Sequence, residues 1–442
     1  MAKITKTAAE LRDEIAASTA SARNFLRSLF DEGTFLEFGT YVKNGENGSF
    51  EGVITGCGAV DGRPVYAFVQ DKENEKAAFS AAHGKKIASL YDAALKACAP
   101  VVGVFSGSGA KVSEGIDCLS SYGSVMAKIN EAKGIIPQIA VIEGVCGGAS
   151  AVICQMFDII ISSDKAGRYV TANGKTVGAS DVVCDSSELT ARTREILNLL
   201  PSSCEEGSVC LDDCETINDP LDVSAYVSDD SDVKELISAL SDNEPVILTD
   251  GVAPEMVTAL SFFNGRAVGF VANQPKEKGG ALTASASKKA ARFISLCTDF
   301  NIPVITLVNT VGFKGDEDDY LSALSSLAYA YANCPVTVTA VIGKAYGSAF
   351  TLMGSKALGA DFVFALDTAV ISVLDPETAV EFLRDKELRE ASDPASARKT
   401  LKDEWISNEA SPLNASRSGD VDDVVDSLEL KQRMASAVEF LA

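Results

Sequence analysis

Asp61-Gly62-Arg63-Pro64-Val65 returns 203 residues later as Asn264-Gly265-Arg266-Ala267-Val268 (265 − 62). Lys85-Lys86 returns as Lys288-Lys289 (289 − 86), and Ala99-Pro100-Val101-Val102 as Ile302-Pro303-Val304-Ile305 (303 − 100), at the same spacing. Asp158-Ile159-Ile160-Ile161-Ser162-Ser163-Asp164 matches Asp361-Phe362-Val363-Phe364-Ala365-Leu366-Asp367, again 203 apart. Cys146-Gly147-Gly148-Ala149 pairs with Tyr346-Gly347-Ser348-Ala349 at a spacing of 200. Chance does not hold five matches in register, so the chain contains an internal duplication. Its period is too long for a solenoid and suits a whole domain.

Each copy alternates strand-like apolar runs with helical periodicity. In the first, strands are expected at Val65–Val69, Val101–Phe105, Gln138–Ile142 and Ile159–Ser162. Helices are expected over 77–97, 115–132 and 148–157. The second copy repeats this order from about Asp250 to Phe382. Strands alternating with helices imply α/β layers with largely parallel pairing. Residues up to about Phe38 read as helical, with a stop at Asp31-Glu32-Gly33-Thr34. The expected division is a first domain over 1–200, an acidic, serine-rich linker over 201–245, and a second domain over 246–442 with a helical tail. Cys204, Cys210 and Cys214 in the linker fit no tetrahedral metal template and read as incidental thiols, so no metal site is expected.

The net charge of −23 repels nucleic acid and anionic lipid. A single histidine, His83, leaves no room for a mechanism needing several imidazoles, and reads as a satisfied, half-buried side chain. No apolar run reaches the roughly 18 residues that span a bilayer. Eleven scattered cysteines suit reduced thiols and a cytoplasmic protein.

Two turns of small residues carry the expected chemistry. Gly144-Val145-Cys146-Gly147-Gly148-Ala149 and Gly343-Lys344-Ala345-Tyr346-Gly347-Ser348-Ala349 each lead from a strand into an apolar helix. The first amides of a helix lack intrahelical acceptors, so such a turn can hold a developing negative oxygen. A single turn of this kind is better explained by packing. Its recurrence at one place in both copies favours a reaction with two oxyanions. A second glycine-rich loop, Ser106-Gly107-Ser108-Gly109-Ala110-Lys111, follows the strand Val101–Phe105. Its counterpart is Asn309-Thr310-Val311-Gly312-Phe313, and both sit where α/β proteins bind ligands.

The chain resembles the carboxyltransferase subunits of biotin-dependent acyl-CoA carboxylases and decarboxylases, of the propionyl-CoA carboxylase β and methylmalonyl-CoA decarboxylase α types. The similar stretches include Leu29 to Phe38, Ser113-Glu114-Gly115 with Ser121-Tyr122-Gly123, Gly134 to Ile142, Val271 to Pro275, Lys289 to Phe293, and Lys344 to Gly347. The resemblance implies two tandem crotonase-like domains. It also implies carboxyl transfer between a short acyl-CoA on the first half and biotin on the second, through two backbone oxyanion holes and without a side-chain base. Gly148 and Ala149 fall on the first hole, and Ser348 and Ala349 on the second. Gly107, Gly109, Ala110, Lys111 and Gly147 would line the CoA side, and Gly312, Phe313, Tyr346 and Gly347 the biotin side. A homo-oligomer, dimer or trimer of dimers, is implied, since the two sites meet at a subunit interface.

No Met-Lys-Met biotinylation motif and no glycine-rich ATP loop occur. The biotin carrier protein, and any biotin carboxylase or membrane decarboxylase subunit, are therefore expected as separate chains. The chain departs from the family pattern at Ala149, Ser348, Lys111, Ala77 to Ser80, and a shortened loop over 315–327. Two other readings share these residues. One is a non-catalytic partner of an intact homologue, which the departures favour; the other is a biotin-independent crotonase-type enzyme, for which Glu143 is the nearby carboxylate.

Overall fold

A computed structural model describes residues 6–43, 49–171, 174–211 and 220–442. The chain divides into two compact units between Gly207 and Ser208. In the first unit the strands are β1 (Leu36–Phe38), β2 (Val53–Val60), β3 (Arg63–Gln70), β4 (Val101–Phe105), β5 (Gln138–Ile142), β6 (Val145–Gly147), β7 (Ile159–Ser163), β8 (Gly167–Tyr169) and β9 (Val182–Cys184). Its helices are α1 (Ala8–Ser18), α2 (Ala20–Leu29), α3 (Ala81–Ala97), α4 (Ile116–Ala132), α5 (Ala149–Met156) and α6 (Leu189–Leu199). The main sheet runs β1-β2-β3-β4-β5-β7-β9, and β6 and β8 pair separately. From β3 to β9 the main sheet is parallel; the β1–β2 and β2–β3 pairs are antiparallel.

β4, β5 and β7 are buried throughout, which is why they read as continuous apolar runs rather than alternating ones. Phe68, Phe105 and Phe157 meet edge to face in the core. On one side α3 lies against α4, and Gly84 is the close approach. A methyl there would come 2.0 Å from Ser121 Oγ and 3.0 Å from the Phe79 ring. Gly84→Ala is therefore expected to lower unfolding stability by about 1–3 kcal/mol. At an exposed helical site the same change would add roughly 1 kcal/mol. A urea midpoint no lower than that of the unaltered chain would refute this contact.

The second unit repeats the plan with α7 (Val233–Leu240), β10 (Val246–Leu248), β11 (Met256–Phe263), β12 (Arg266–Asn273), α8 (Ala284–Asp299), β13 (Val304–Thr310), α9 (Tyr320–Asn333), β14 (Thr337–Tyr346), α10 (Ser348–Leu352), β15 (Phe362–Leu366) and β16 (Val370–Ser372). Four helices follow: α11 (Pro376–Leu383), α12 (Asp385–Glu390), α13 (Pro394–Asn408) and α14 (Pro412–Ser418). They stand where the first unit runs from β8 to β9. β17 (Asp423–Val425) and α15 (Leu430–Leu441) then close the unit as β9 and α6 close the first. The two tandem crotonase-like units expected of the sequence are both present.

The duplication is deeper than the sequence showed. Asp181 accepts from Ile160 N–H, and Asp422 from Val363 N–H, in the same way. The repeat therefore extends to the C-terminal helix, and the expected tail is the last strand and helix of copy two plus an insertion. At the other end, Asp31 accepts from Gly62 N–H and Asp242 from Gly265 N–H. The acidic stretch expected as a solvated linker is thus, over Val233–Asn243, the opening of copy two. Val233, Leu236, Ile237 and Leu240 are buried there. Asp212, Asp213 and Cys214 lie outside the described residues.

Three local expectations change. Leu36–Phe38 is an edge strand on β2 instead of the end of a helix. α3 starts at Ala81, because Ser80 caps it and Glu75, Lys76 and Ala77 have positive φ. The second-unit loop expected over 315–327 ends at Asp319, and Tyr320 onward is helix, the counterpart of α4.

Candidate functional site

In the first unit, β6 ends at Gly147 and α5 begins at Ala149, with Gly148 between them at φ +62°. In the second, β14 ends at Tyr346 and α10 begins at Ser348, with Gly347 at φ +65°. Only glycine adopts this backbone conformation without strain. Gly148 N–H donates to Tyr169 O at 2.7 Å, and Gly347 N–H to Ser372 O at 2.9 Å. Ala151 N–H bonds back to Gly148 O, and Phe350 N–H to Gly347 O. The amides left without an acceptor among the described residues are those of Ala149 and Ser150, and those of Ser348 and Ala349.

Two expectations are corrected by this geometry. The turns align at a spacing of 199 rather than 200 (347 − 148), so Gly148 corresponds to Gly347 and not to Ser348. Gly148 also offers no free N–H, because its donor is spent on β8. It shapes the turn, while Ala149 and the unanticipated Ser150 present the donors. Ser150 is buried, and its hydroxyl pairs with Tyr122 Oη at 3.1 Å. Aligning the two turns on their positive-φ glycines would have found it.

The glycine loops pack directly against these turns. Gly147 N–H donates to Gly107 O at 3.1 Å, and a methyl on Gly147 would lie 2.9 Å from Ser108 O. Phe79 N–H donates to Gly109 O and Lys111 N–H to Phe79 O; Leu282 N–H to Gly312 O and Lys314 N–H to Leu282 O repeat the pattern. Gly109 and Gly312 have φ of +117° and +119°. The amides of Ala110 and Phe313 also lack acceptors among the described residues, adding one donor to each turn. Lys111 Nζ is tied to Glu75 at 2.6 Å. Phe313 is exposed and meets Tyr320 edge-on. Tyr346 is nearly buried, and burial, reinforced by Asp375, Asp229 and Glu377, pushes its phenol up to about 12. Glu143 is half-exposed and reaches Lys72 at 3.9 Å.

Loop and turn are held from beneath by buried amides. Ser106 N–H donates to Gln70 Oε1 at 3.1 Å, and Asn309 N–H to Asn273 Oδ1 at 3.2 Å. His83 is fully buried rather than half-buried, between Gln70 and Glu51. Burial pushes the Glu51 carboxyl up, but bonds from His83, Ser80 and Gly52 outweigh it and hold the group below its ordinary range.

Beside the second turn opens a cleft of ≈ 710 Å³, within the range of ligand sites. Ser348, Phe350, Ile371 and Val373 line it, together with Glu409 and Arg417 of the inserted segment. No helix among the described residues is long and apolar enough to cross a membrane.

Comparison with known proteins shows the family. The carboxyl transferase domain family matches residues 15–190 and 175–442. The methylmalonyl-CoA decarboxylase subunit alpha of Propionigenium modestum is 32% identical, over 96% of this chain and 91% of its own. The methylmalonyl-CoA carboxyltransferase 12S subunit of Propionibacterium freudenreichii subsp. shermanii is 31% identical, over 96% of this chain and 88% of its own. A transcarboxylase 12S crystal structure, a hexamer with methylmalonyl-CoA and methylmalonic acid bound, superposes with a TM-score of 0.91. It is 30% identical and covers 98% of this chain and 94% of its own. The chain belongs to the carboxyl transferase family and is a carboxyltransferase subunit of the biotin-dependent acyl-CoA carboxylase and decarboxylase type.

Proposed function

We propose that the first turn holds the thioester oxygen of a short acyl-CoA such as methylmalonyl-CoA, and that the second turn holds biotin presented by a separate carrier protein. The carrying observation is the pair of like turns, each closed by a positive-φ glycine and each leaving two helix-start amides free. When a thioester is decarboxylated or deprotonated at its α-carbon, charge collects on the carbonyl oxygen. Fixed N–H donors stabilise that charge without reorganising. Ala149 and Ser150, with Ala110 beside them, are placed for this task in the first unit. No side-chain base is needed for that step.

The cleft beside the second turn suits biotin. Phe350, Ile371 and Val373 offer an apolar wall to its rings, while the Ser348 and Ala349 amides face a ureido oxygen. Bound there, biotin supplies the ureido nitrogen that carries the carboxyl group. Ala149 and Ser348, where the family has glycines, keep their backbone donors, so the departures narrow the sites without removing them. The nearest biotinylation-like sequence, Met126-Ala127-Lys128, lies inside α4, which supports a carrier on another chain. The cysteines among the described residues are free, which supports the cytoplasm, and the hexameric relative supports a homo-oligomer.

Purified protein given methylmalonyl-CoA or malonyl-CoA and free biotin should release CO2. Complete inactivity with every short acyl-CoA, with a biotinylated carrier supplied, would instead favour a non-catalytic partner.

A further inference from the structure

The first unit contains a buried polar chain that the carboxyl-transfer reading leaves unused. Gly52 N–H and Ser80 Oγ–H donate to the two carboxylate oxygens of Glu51, at 3.0 and 2.7 Å. His83 Nδ1 lies 3.1 Å from Glu51 Oε1, and His83 Nε2 lies 3.2 Å from Gln70 Nε2. Gln70 Oε1 then accepts from Ser106 N–H. His83 is 0% exposed and Gln70 2%, so no solvent competes for these bonds.

The donors and acceptors can be ordered in only one way. A backbone amide only donates, so the Gln70 oxygen must face Ser106. Its NH2 group therefore faces the imidazole, and Nε2 must accept with a lone pair. That leaves the proton on Nδ1, pointing at the Glu51 carboxylate. A proton on Nε2 would oppose the Gln70 NH2 group. Relieving that clash by turning the amide over would set NH2 against Ser106 N–H.

Ser106 begins the loop whose Gly107 carbonyl accepts from Gly147 N–H, one residue before the turn glycine. The second unit lacks the imidazole. Ala286 stands 203 residues after His83, and Asn273 spends its NH2 group on Gly280 O. Glu255 there keeps Thr283 and Lys278 as partners, but its buried Oε2 has no hydrogen bond. The duplication thus supplies an internal comparison: the carboxylate and the loop-holding amide recur, and only the first copy links them.

We propose that His83 is a positioning residue for the first turn: a neutral imidazole, protonated on Nδ1, that locks the Gln70 amide and through it the loop Ser106–Lys111 and the Gly147–Ser150 donors. The catalytic consequence rests on the reading of that turn as the thioester site; the hydrogen-bond order does not.

His83 is the sole histidine, so the nitrogen-15 spectrum of labelled full-length protein contains one imidazole. At neutral pH it should show the neutral ring with the proton on Nδ1. A proton on Nε2, or a doubly protonated ring, would overturn the proposal. Two near-isosteres separate positioning from packing. His83→Gln places an acceptor where Nε2 stood, whereas His83→Asn keeps a donor toward Glu51 but leaves Gln70 unpaired. In CO2 release from methylmalonyl-CoA, His83→Asn should lose about ten- to a hundredfold in kcat, with KM changed less than about threefold. His83→Gln should stay within about threefold of the unaltered enzyme. Equal losses in the two variants would reduce His83 to a packing residue and refute the proposal. If the unaltered enzyme is itself inert toward acyl-CoA, the thioester reading has failed. The relay is then decided by the spectrum and by Ser106 amide exchange, expected to be faster in His83→Asn than in His83→Gln; equal exchange would refute it.

Discussion

Gly148→Pro is expected to lower CO2 release from methylmalonyl-CoA by about a hundredfold or more, the scale seen when an oxyanion donor is lost or displaced. The reason is local. Gly148 has φ +62°, and proline is held near −65°, so the chain cannot turn from β6 into α5 as it does now. Proline also removes the N–H that ties the turn to Tyr169 O. The Ala149 and Ser150 amides would then point elsewhere. Gly148→Ala makes a useful comparison, since a methyl there meets nothing within 4 Å. Only backbone strain of roughly 1–3 kcal/mol remains, and the loss in turnover should be correspondingly smaller. Far-UV circular dichroism would verify that the first unit keeps its sheet. Unchanged turnover in a folded proline variant would move the thioester site away from this turn.

The largest effect on stability is expected in the second unit, at Gly280. An added methyl would fall 2.2 Å from Asn309 O and 2.9 Å from Asn273 Cβ, at a φ of +66°. Overpacking against backbone and left-handed strain act together, so Gly280→Ala should cost about 2–5 kcal/mol. Gly419 has φ +86° and open space around it, and Gly419→Ala should cost only the strain, roughly 1–2 kcal/mol. Urea unfolding of the two variants side by side gives the comparison. Equal midpoints would mean that the Asn273–Asn309 contact yields readily. Because Asn309 N–H bonds Asn273 beneath the Gly312 loop, Gly280→Ala should also weaken use of free biotin more than use of acyl-CoA.

How much could be read beforehand depended on where the information is stored. The strands β4, β5 and β7 were legible because both faces are covered and the residues are apolar without interruption. β2 was missed because Gly56, Cys57 and Gly58 interrupt its apolar pattern. Its glycines are required by Phe35 and Phe30, whose rings would collide with added methyls. α7 was taken for linker because its four buried residues sit between acidic and serine-rich runs, and a one-sided stripe eight residues long is weak against such a background. The repeat of β9 and α6 as β17 and α15 was hidden by the four-helix insertion, which shifts the spacing from 203 to 241 (422 − 181).

The site was legible as a place more than as a set of donors. Small residues after a buried strand marked both turns. Gly148 was assigned as a donor because nothing in its neighbours along the chain reveals that Tyr169 O, 21 residues away, accepts the hydrogen bond from its N–H. Glu51, Gln70 and His83 are likewise spread over 33 positions (51 to 83), and only the fold gathers them.

Repetition, apolar runs and small-residue turns are local properties of the chain, so the sequence by itself determined the doubled α/β architecture and the two small-residue turns that lead into helices. Which amide is satisfied and which stays open is different. It depends on carbonyls, carboxylates and an imidazole delivered from distant strands, at distances where a few tenths of an ångström decide whether a hydrogen bond exists. That choice belonged to the tertiary structure alone, because a donor's availability is a property of everything packed around it and not of the residue that carries it.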